Sequence, residues 1–202
     1  MGHSQAEKAE SRERILDAAA RQIRQGGLDS LSISDLMKAA NLTHGGFYGH
    51  FPSRADLIVA AVERALDLGE AASVARAPFK PGTAVKAIVN QYLNPGHRDN
   101  PGDGCAIGTL SGDVGRAEDD EVRLRMSRQL EASFESMAEA MGGGHEADEA
   151  AVMAWCAMVG AINLSRVFRG TGRSDQILKL ARQFILDLEN NVQQAGSSDL
   201  QA

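Results

Sequence analysis

The sequence predicts an all-α chain of about nine helices, with a small N-terminal three-helix unit ahead of a larger helical body. Three observations carry this expectation. Apolar residues recur at three- and four-residue spacing in most segments between glycine or proline breaks. Ala, Leu, Met, Glu and Arg are plentiful while aromatics make up only 4% of the chain. Straight-chain residues and Ala lose little rotamer freedom in a helix, so that balance favours helices. Finally, no segment shows strand-like alternation, and there is no internal repeat.

With 202 residues, 43% of them hydrophobic, the chain can bury a sizeable core. No run approaches the roughly 18–20 apolar residues that span a bilayer. The polar, charged stretch Met1–Arg14 is not a secretory signal, so a cytoplasmic setting without membrane contact is expected. Cys105 and Cys156 make neither a disulfide framework nor a four-thiolate metal site. The five histidines, at positions 3, 44, 50, 97 and 145, are dispersed, and neither metal nor cofactor is expected. The net charge is −6, yet residues 1–60 hold seven basic and seven acidic side chains, so all the excess acid lies later. A neutral module on an acidic body can bind phosphates locally, so charge permits a nucleic-acid partner without arguing for one.

The first helix reads from about Ser11, with Ile15, Leu16, Ala18, Ala19 and Ile23 on one face, and stops at Gly26-Gly27. Ser32 or Ser34 can cap a second helix reaching about Ala40, and Thr43 a short third one through Tyr48. Pro52 and Ser53 open a helix from Arg54 to about Ala75, and Pro78 and Pro81 bracket a hinge. A helix to about Leu93 precedes the clearest loop, Asn94 to Gly102. Asp103 can cap a helix beginning at Gly104-Cys105 and ending near Arg116. Asp119–Met141 is amphipathic and ends at Gly142-Gly143-Gly144. Two further helices, about Ala147–Phe168 and Ser174–Asn191, leave Ala195–Ala202 as a frayed tail.

The second and third helices, joined by a tight turn, have the layout of a helix-turn-helix, held by Leu31, Ile33, Leu36, Met37 and Leu42. Inside a helix Gly45 and Gly46 cost roughly 1 kcal/mol each relative to Ala. That cost fits a backbone approaching another surface, such as a DNA groove; a plain loop is the other reading. The run Leu42-Thr43-His44-Gly45-Gly46-Phe47-Tyr48-Gly49-His50-Phe51-Pro52-Ser53-Arg54-Ala55-Asp56-Leu57 resembles the signature of the TetR family of repressors. Its hallmark is Tyr-x-His-Phe followed by a small, a basic and an acidic residue and Leu. The likeness is close over residues 11–60 and loose over 61–191.

The resemblance implies a DNA-binding domain at 8–56, a ligand-binding and dimerisation domain at 57–195, and a disordered tail at 196–202. It implies a homodimer, joined through the last two helices, on a pseudo-palindromic operator in double-stranded DNA. It also implies release by a small-molecule inducer or an electrophile, and no enzymatic activity. Carried over by residue, Thr43, Tyr48, His50 and Arg54 contact phosphates, with Arg54 where the family usually has Lys. His44, Gly45 and Gly46 face base edges, and Ser32 or Ser34 reaches a phosphate at the second helix's N-terminus. Phe47 and Phe51 read as core anchors.

In the body, Met153–Phe168 is apolar on nearly all sides, which asks for cover from a partner subunit as well as its own core. Ile177, Leu180, Ala181, Phe184, Ile185 and Leu188 form a broad stripe on the last helix. Tyr92, Ile107, Leu110, Phe134, Met137 and Trp155 can be ligand wall or plain core. Cys105 follows Asp103-Gly104 at a helix start, where the dipole lowers a thiol's pKa and Asp103 opposes it. The stretch Asp-Gly-Cys-Ala-Ile-Gly-Thr-Leu is similar to one in TetR-type repressors that sense electrophiles or oxidants; a small buried hydrophobe is the alternative. Cys156, inside an apolar helix, reads as inert. A thiol-dependent enzyme using Cys105 with His97 as base is the rival class, but it lacks an orienting group and an oxyanion pattern.

Overall fold

The first helix, α1, runs Gln5–Gly26 and buries Ile15, Leu16, Ala19, Ala20 and Ile23. It starts a turn and a half before the predicted Ser11, because the polar residues 5–10 are adequate helix formers that need no core. The computed structural model describes residues 5–74 and 82–199, and among these it contains nine α-helices, three short 3-10 segments and no strand. The predicted hinge at Pro78 and Pro81 lies outside the described residues. The chain divides into two compact units: the described residues up to 74 with 101–126, and 82–100 with 127 onward.

In the first unit α1 ends at Gly27, whose φ of 82° suits glycine. A Cβ there would meet the Asp113 carboxylate at 2.4 Å, and that carboxylate accepts from the Leu28 amide at 2.9 Å. Helix α2 (Ile33–Ala39) is capped by Ser32, whose hydroxyl accepts from the Asp35 amide at 3.3 Å. Asn41, at φ 59°, closes it. Helix α3 (Arg54–Val74) is opened by Ser53, whose Oγ accepts from the Asp56 amide at 3.2 Å and donates to its carboxylate at 2.6 Å. Leu57, Ala61, Val62 and Ala65 bury its inner face, and Arg64 pins it to Asp17 and Glu13 of α1. Helix α6 (Ala106–Arg116) adds Ile107, Leu110 and Val114 to the core.

The second unit contains α4 (Ala84–Tyr92), α5 (Pro95–Asp99), α8 (His145–Val167) and α9 (Gly172–Asp199). Helix α7 (Asp120–Met141) contains the division point between the units and ends at Gly142–Gly144, all three at positive φ. The predicted loop 94–102 is instead a short helix followed by a 3-10 turn, Pro101–Asp103. Asn94 caps that helix by accepting from the His97 amide at 3.0 Å, and Pro95 fits its first turn. The last helix continues past Asn191 to Asp199, so the expected tail 196–202 is helical that far. Gln193, Gln194 and Ala195 are good helix formers, and a helix continues readily once its apolar face is docked.

Helix α8 is long and apolar enough to cross a membrane by length and composition alone, a span the sequence reading did not identify. In this fold it is the core helix of its unit, packed along α9. Its N-terminal half is buried through Ala147, Ala150, Ala151 and Ala154, and further along through Met158 and Ile162.

Candidate nucleic-acid interface

The element after α2 is a 3-10 segment, His44–Gly49, where a short α-helix was expected. Glycine at 45, 46 and 49 weakens α-helical propensity, and the tighter helix is tolerated over so short a run. Thr43 stands at its N-cap position without a side-chain hydrogen bond, leaving its hydroxyl unused. Phe47 is buried and holds the turn down, with Phe51 stacked on it at 5.8 Å between ring centroids. Tyr48, edge-on to Phe47 at 5.2 Å, points outward and is 74% exposed.

Around Tyr48 the exposed side chains are Ser34, Thr43, His44 and Arg54, with Gly45 also open; Ser32, Gly46 and His50 are half-buried. Among the described residues Arg54 has no ion-pair partner. A Cβ on Gly45 would meet nothing within 4 Å, and one on Gly46 would touch Met37 at 3.5 Å. The segment therefore presents hydroxyls, an imidazole and a guanidinium beside bare backbone, a set suited to phosphate contact and close groove approach. Ser32 spends its hydroxyl on the cap, so Ser34 is the freer of the two serines.

His50 differs from the rest. Its Nδ1 is buried without a hydrogen-bond partner, and burial, then Lys8, then Arg12 push its pKa below the ordinary imidazole value. Both the burial and the nearby cations disfavour the charged ring in the free protein. Arg12 itself lies over the Phe51 ring at 5.0 Å. Lys8 and Arg12 were not selected from the sequence, since nothing in the α1 pattern shows which of its charges approaches the turn.

The expected sensing residues fall into two groups. Tyr92, Trp155 and Phe134 belong to the second unit. There Tyr92 meets His97 and Trp155 edge-on at 4.5 and 5.4 Å, and the indole Nε1 donates to the Ser133 carbonyl at 2.9 Å beside Phe134. Cys105, Ile107 and Leu110 belong to the first unit; Ile107 and Leu110 are buried, and Cys105 is half-buried. Cys105 itself occupies the N-cap position of α6, where Asp103 was predicted. Asp103 is instead paired with Arg21 at 2.5 Å. Gly102 packs so closely on α1 that a Cβ would meet Gln25 at 2.7 Å. On the same side of α1, Arg24 is buried with its Nε unpartnered, and burial lowers its pKa against the pull of Asp103 and Cys105. A charged residue directly after the buried Ile23 is the sequence signal that could have singled Arg24 out. Cys156, expected inside the apolar helix, is exposed on this chain. The ring of His97 is engaged, with Nδ1 2.7 Å from the Tyr92 carbonyl.

Residues 15–61 match the family model described as bacterial regulatory proteins, tetR family. The HTH-type transcriptional regulator AcrR of Shigella flexneri is 43% identical over 51 residues, 25% of this chain and 24% of that protein. An uncharacterized HTH-type transcriptional regulator of Mycobacterium tuberculosis is 27% identical over 185 residues, covering 87% of this chain and 94% of its own. Among solved structures, a TetR-family transcriptional regulator from Cytophaga hutchinsonii superposes with a TM-score of 0.75 at 18% identity, over 93% of this chain and 98% of that one. The last likeness speaks for the fold, and the first two for the reading head and its setting. Each of these relatives is described as a transcriptional regulator. Residues 15–61 thus resemble the tetR family of bacterial regulatory proteins, and the chain as a whole shares the fold of a solved TetR-family transcriptional regulator.

Proposed function

We propose that this protein is a cytoplasmic, homodimeric repressor. It would grip a pseudo-palindromic operator through the 43–54 segment and let go when a small molecule binds or Cys105 is modified. The observation that carries this reading is the contrast at the turn: Phe47 and Phe51 are buried, while Tyr48 between them is 74% exposed beside Thr43, His44 and Arg54. In this reading Thr43, Tyr48, Arg54 and His50 hold phosphates. His44 and the backbone at Gly45 and Gly46 approach base edges, and Ser32 or Ser34 meets a phosphate at the start of α2. With so few reading side chains, half-site spacing and DNA shape supply much of the specificity.

The dimer is supported by apolar side chains left open on α8 and α9. Met153, Leu164 and Val167 on one, and Leu180 and Phe184 on the other, are exposed, with Val167 at 78%. These fit a bundle of the last two helices from each subunit. The test is a gel shift with the DNA upstream of the protein's own gene over a salt series, with the oligomeric state measured by sedimentation. A dimer whose operator affinity falls steeply with salt is expected; a monomer, or no retardation at low salt, sinks the proposal.

Release through Cys105 is supported by its position at the start of α6 beside the buried Arg24, since cations and helix N-termini both stabilise a thiolate. With a quinone, the sulfur would form a C–S bond to a ring carbon, and the ring would take up a proton to become the substituted hydroquinone. A Cys105→Ser protein still fully released by 1,4-benzoquinone removes the thiol route. A non-covalent ligand, held among residues such as Tyr92, Phe134 and Trp155 or Ile107 and Leu110, is then the remaining trigger.

A further inference from the structure

Glu189 lies on the inner face of α9, one turn beyond the fully buried Ile185, and is only 9% exposed. Its carboxyl is pushed above the ordinary carboxylate value by burial, and among the described residues no neighbouring cation pulls it back. Among the described residues its one hydrogen-bond partner is Gln193 Nε2, a long 3.4 Å contact from the same helix. Buried carboxylates are ordinarily paired, because removing an ion from water costs several kcal/mol, as an order of magnitude, unless a counter-charge compensates. The mostly buried Arg98 of the same unit conforms, meeting Asp99 at 2.8 Å and Asp175 at 2.7 Å.

Helix α4 also packs on α9, and which part of α8 lies level with Glu189 follows from helix register. Helices α8 and α9 run antiparallel, and Ser174 Oγ donates to the Ser165 carbonyl at 2.7 Å. Equal steps along each helix from that contact bring Glu189 level with Ala150, in the buried row Ala147, Ala150, Ala151 and Ala154. Alanine offers no side-chain donor and little bulk. The same register brings Trp155 level with Phe184, about 7.5 Å along the axis from Glu189 at ~1.5 Å per residue. Trp155 in turn lies edge-on to Tyr92 at 5.4 Å. Leu180 and Phe184, the open stripe of α9, project from the other side of that helix, roughly 140–180° away at ~100° per residue. A second copy covering that stripe would therefore not bring a cation to Glu189.

We propose that Glu189 is the anionic anchor of an internal site in the C-terminal unit for an organic monocation. The ammonium group would meet the carboxylate, and the apolar body would extend along α8 and α9 toward Trp155 and Tyr92. A cationic ligand supplies the missing counter-charge, and aromatic rings add a surface that favours cations. The site names a ligand class for the small-molecule-responsive regulator proposed above, and rests on that reading only for its regulatory meaning.

The test uses the full chain without DNA. 2-Phenylethylammonium and its uncharged counterpart 2-phenylethanol are titrated separately, and the fluorescence of Trp155, the only tryptophan, is followed. The ammonium is expected to bind at least about tenfold more tightly than the alcohol. Glu189→Gln should bring the two to parity without weakening the alcohol or lowering the unfolding midpoint, and Glu189→Asp should keep most of the preference. Where Glu189→Gln does not fold, Glu189→Met removes the same charge with an apolar side chain of similar length. The proposal is overturned if the natural chain shows no ammonium preference, or if that preference survives loss of the carboxylate. Operator binding is measured alongside: intact operator affinity without an ammonium preference sinks this inference alone, and the converse sinks only the regulator reading.

Discussion

Two sites, one in each unit, use arginine in opposite ways. At the 43–54 segment Arg54 is exposed, next to an unused Thr43 hydroxyl and the outward Tyr48. At the junction of α5, α8 and α9 every guanidinium is engaged. Arg98, only 11% exposed in its side chain, meets Asp99, Asp175 and the Ser174 hydroxyl. Arg166 and Arg169 donate to the carbonyl of Arg98, and Arg166 also to that of His97, where α5 leaves its last carbonyls uncapped. Saturated charges fix a short helix that could not persist alone, whereas among the described residues Arg54 has no ion-pair partner. Exposure of an arginine matters less than whether its donors are already satisfied.

The largest expected effect breaks the saturated site. Arg98→Ala removes the guanidinium that links Asp99, Asp175 and the Ser174 hydroxyl, and should lower the unfolding midpoint. Urea denaturation measures it. Operator affinity per folded molecule should stay unchanged, and a large loss there would show that the two sites are not separable in this way. The matching change at the open site is Arg54→Ala. It should leave the unfolding midpoint in place, weaken operator binding by about tenfold, and reduce the salt slope by about one. Anisotropy titrations at several salt concentrations check this, and equal weakening on non-operator DNA is part of the expectation.

The same contrast explains what the sequence could and could not disclose. The 3.6-residue periodicity of Ile15, Leu16, Ala19 and Ile23 placed the core of α1, and the Tyr-x-His-Phe run marked a segment inside the match to the tetR family model, because both are local patterns. The length of α1 and α9 was not legible, since polar residues continue a docked helix without any apolar mark. Nor was α5, because Asn94-Pro95-Gly96 has the composition of a loop and becomes a helix only where Arg166 and Arg169 take up its carbonyls. Partnerships over long sequence distance, such as Arg21 with Asp103 or Arg98 with Asp175, leave no trace in spacing. Arg24 and Glu189 did leave one, as charges within apolar registers, and both turn out buried.

A smaller effect concerns His50, which lies between the two extremes: at the reading segment, yet with one ring nitrogen buried. Its pKa is depressed below the usual 6.5 by burial and by Lys8 and Arg12. The unfolded chain therefore takes up the proton first. Its contribution to stability is complete above about pH 6.5 and is lost as pH falls through the lower folded value. Comparing urea midpoints at several pH values between 5 and 8 should show a shallower acid loss in His50→Gln than in the natural chain. Equal slopes would remove His50 as a source of acid sensitivity.

The finest test separates the free protein from its complex at one atom. Gly45 has ordinary backbone geometry and open space where a Cβ would stand. Glycine costs helical segments up to about 1 kcal/mol relative to Ala, so Gly45→Ala should leave the free protein unchanged or raise its stability by about 0.5 kcal/mol. If the backbone there closes on a groove edge, the added methyl must meet DNA, and operator affinity should fall by a few-fold while the salt slope set by Arg54 stays constant. A stabilised protein with undiminished operator affinity would mean that Gly45 never approaches the bases. His44, Tyr48 and the phosphate contacts would then carry the whole interface.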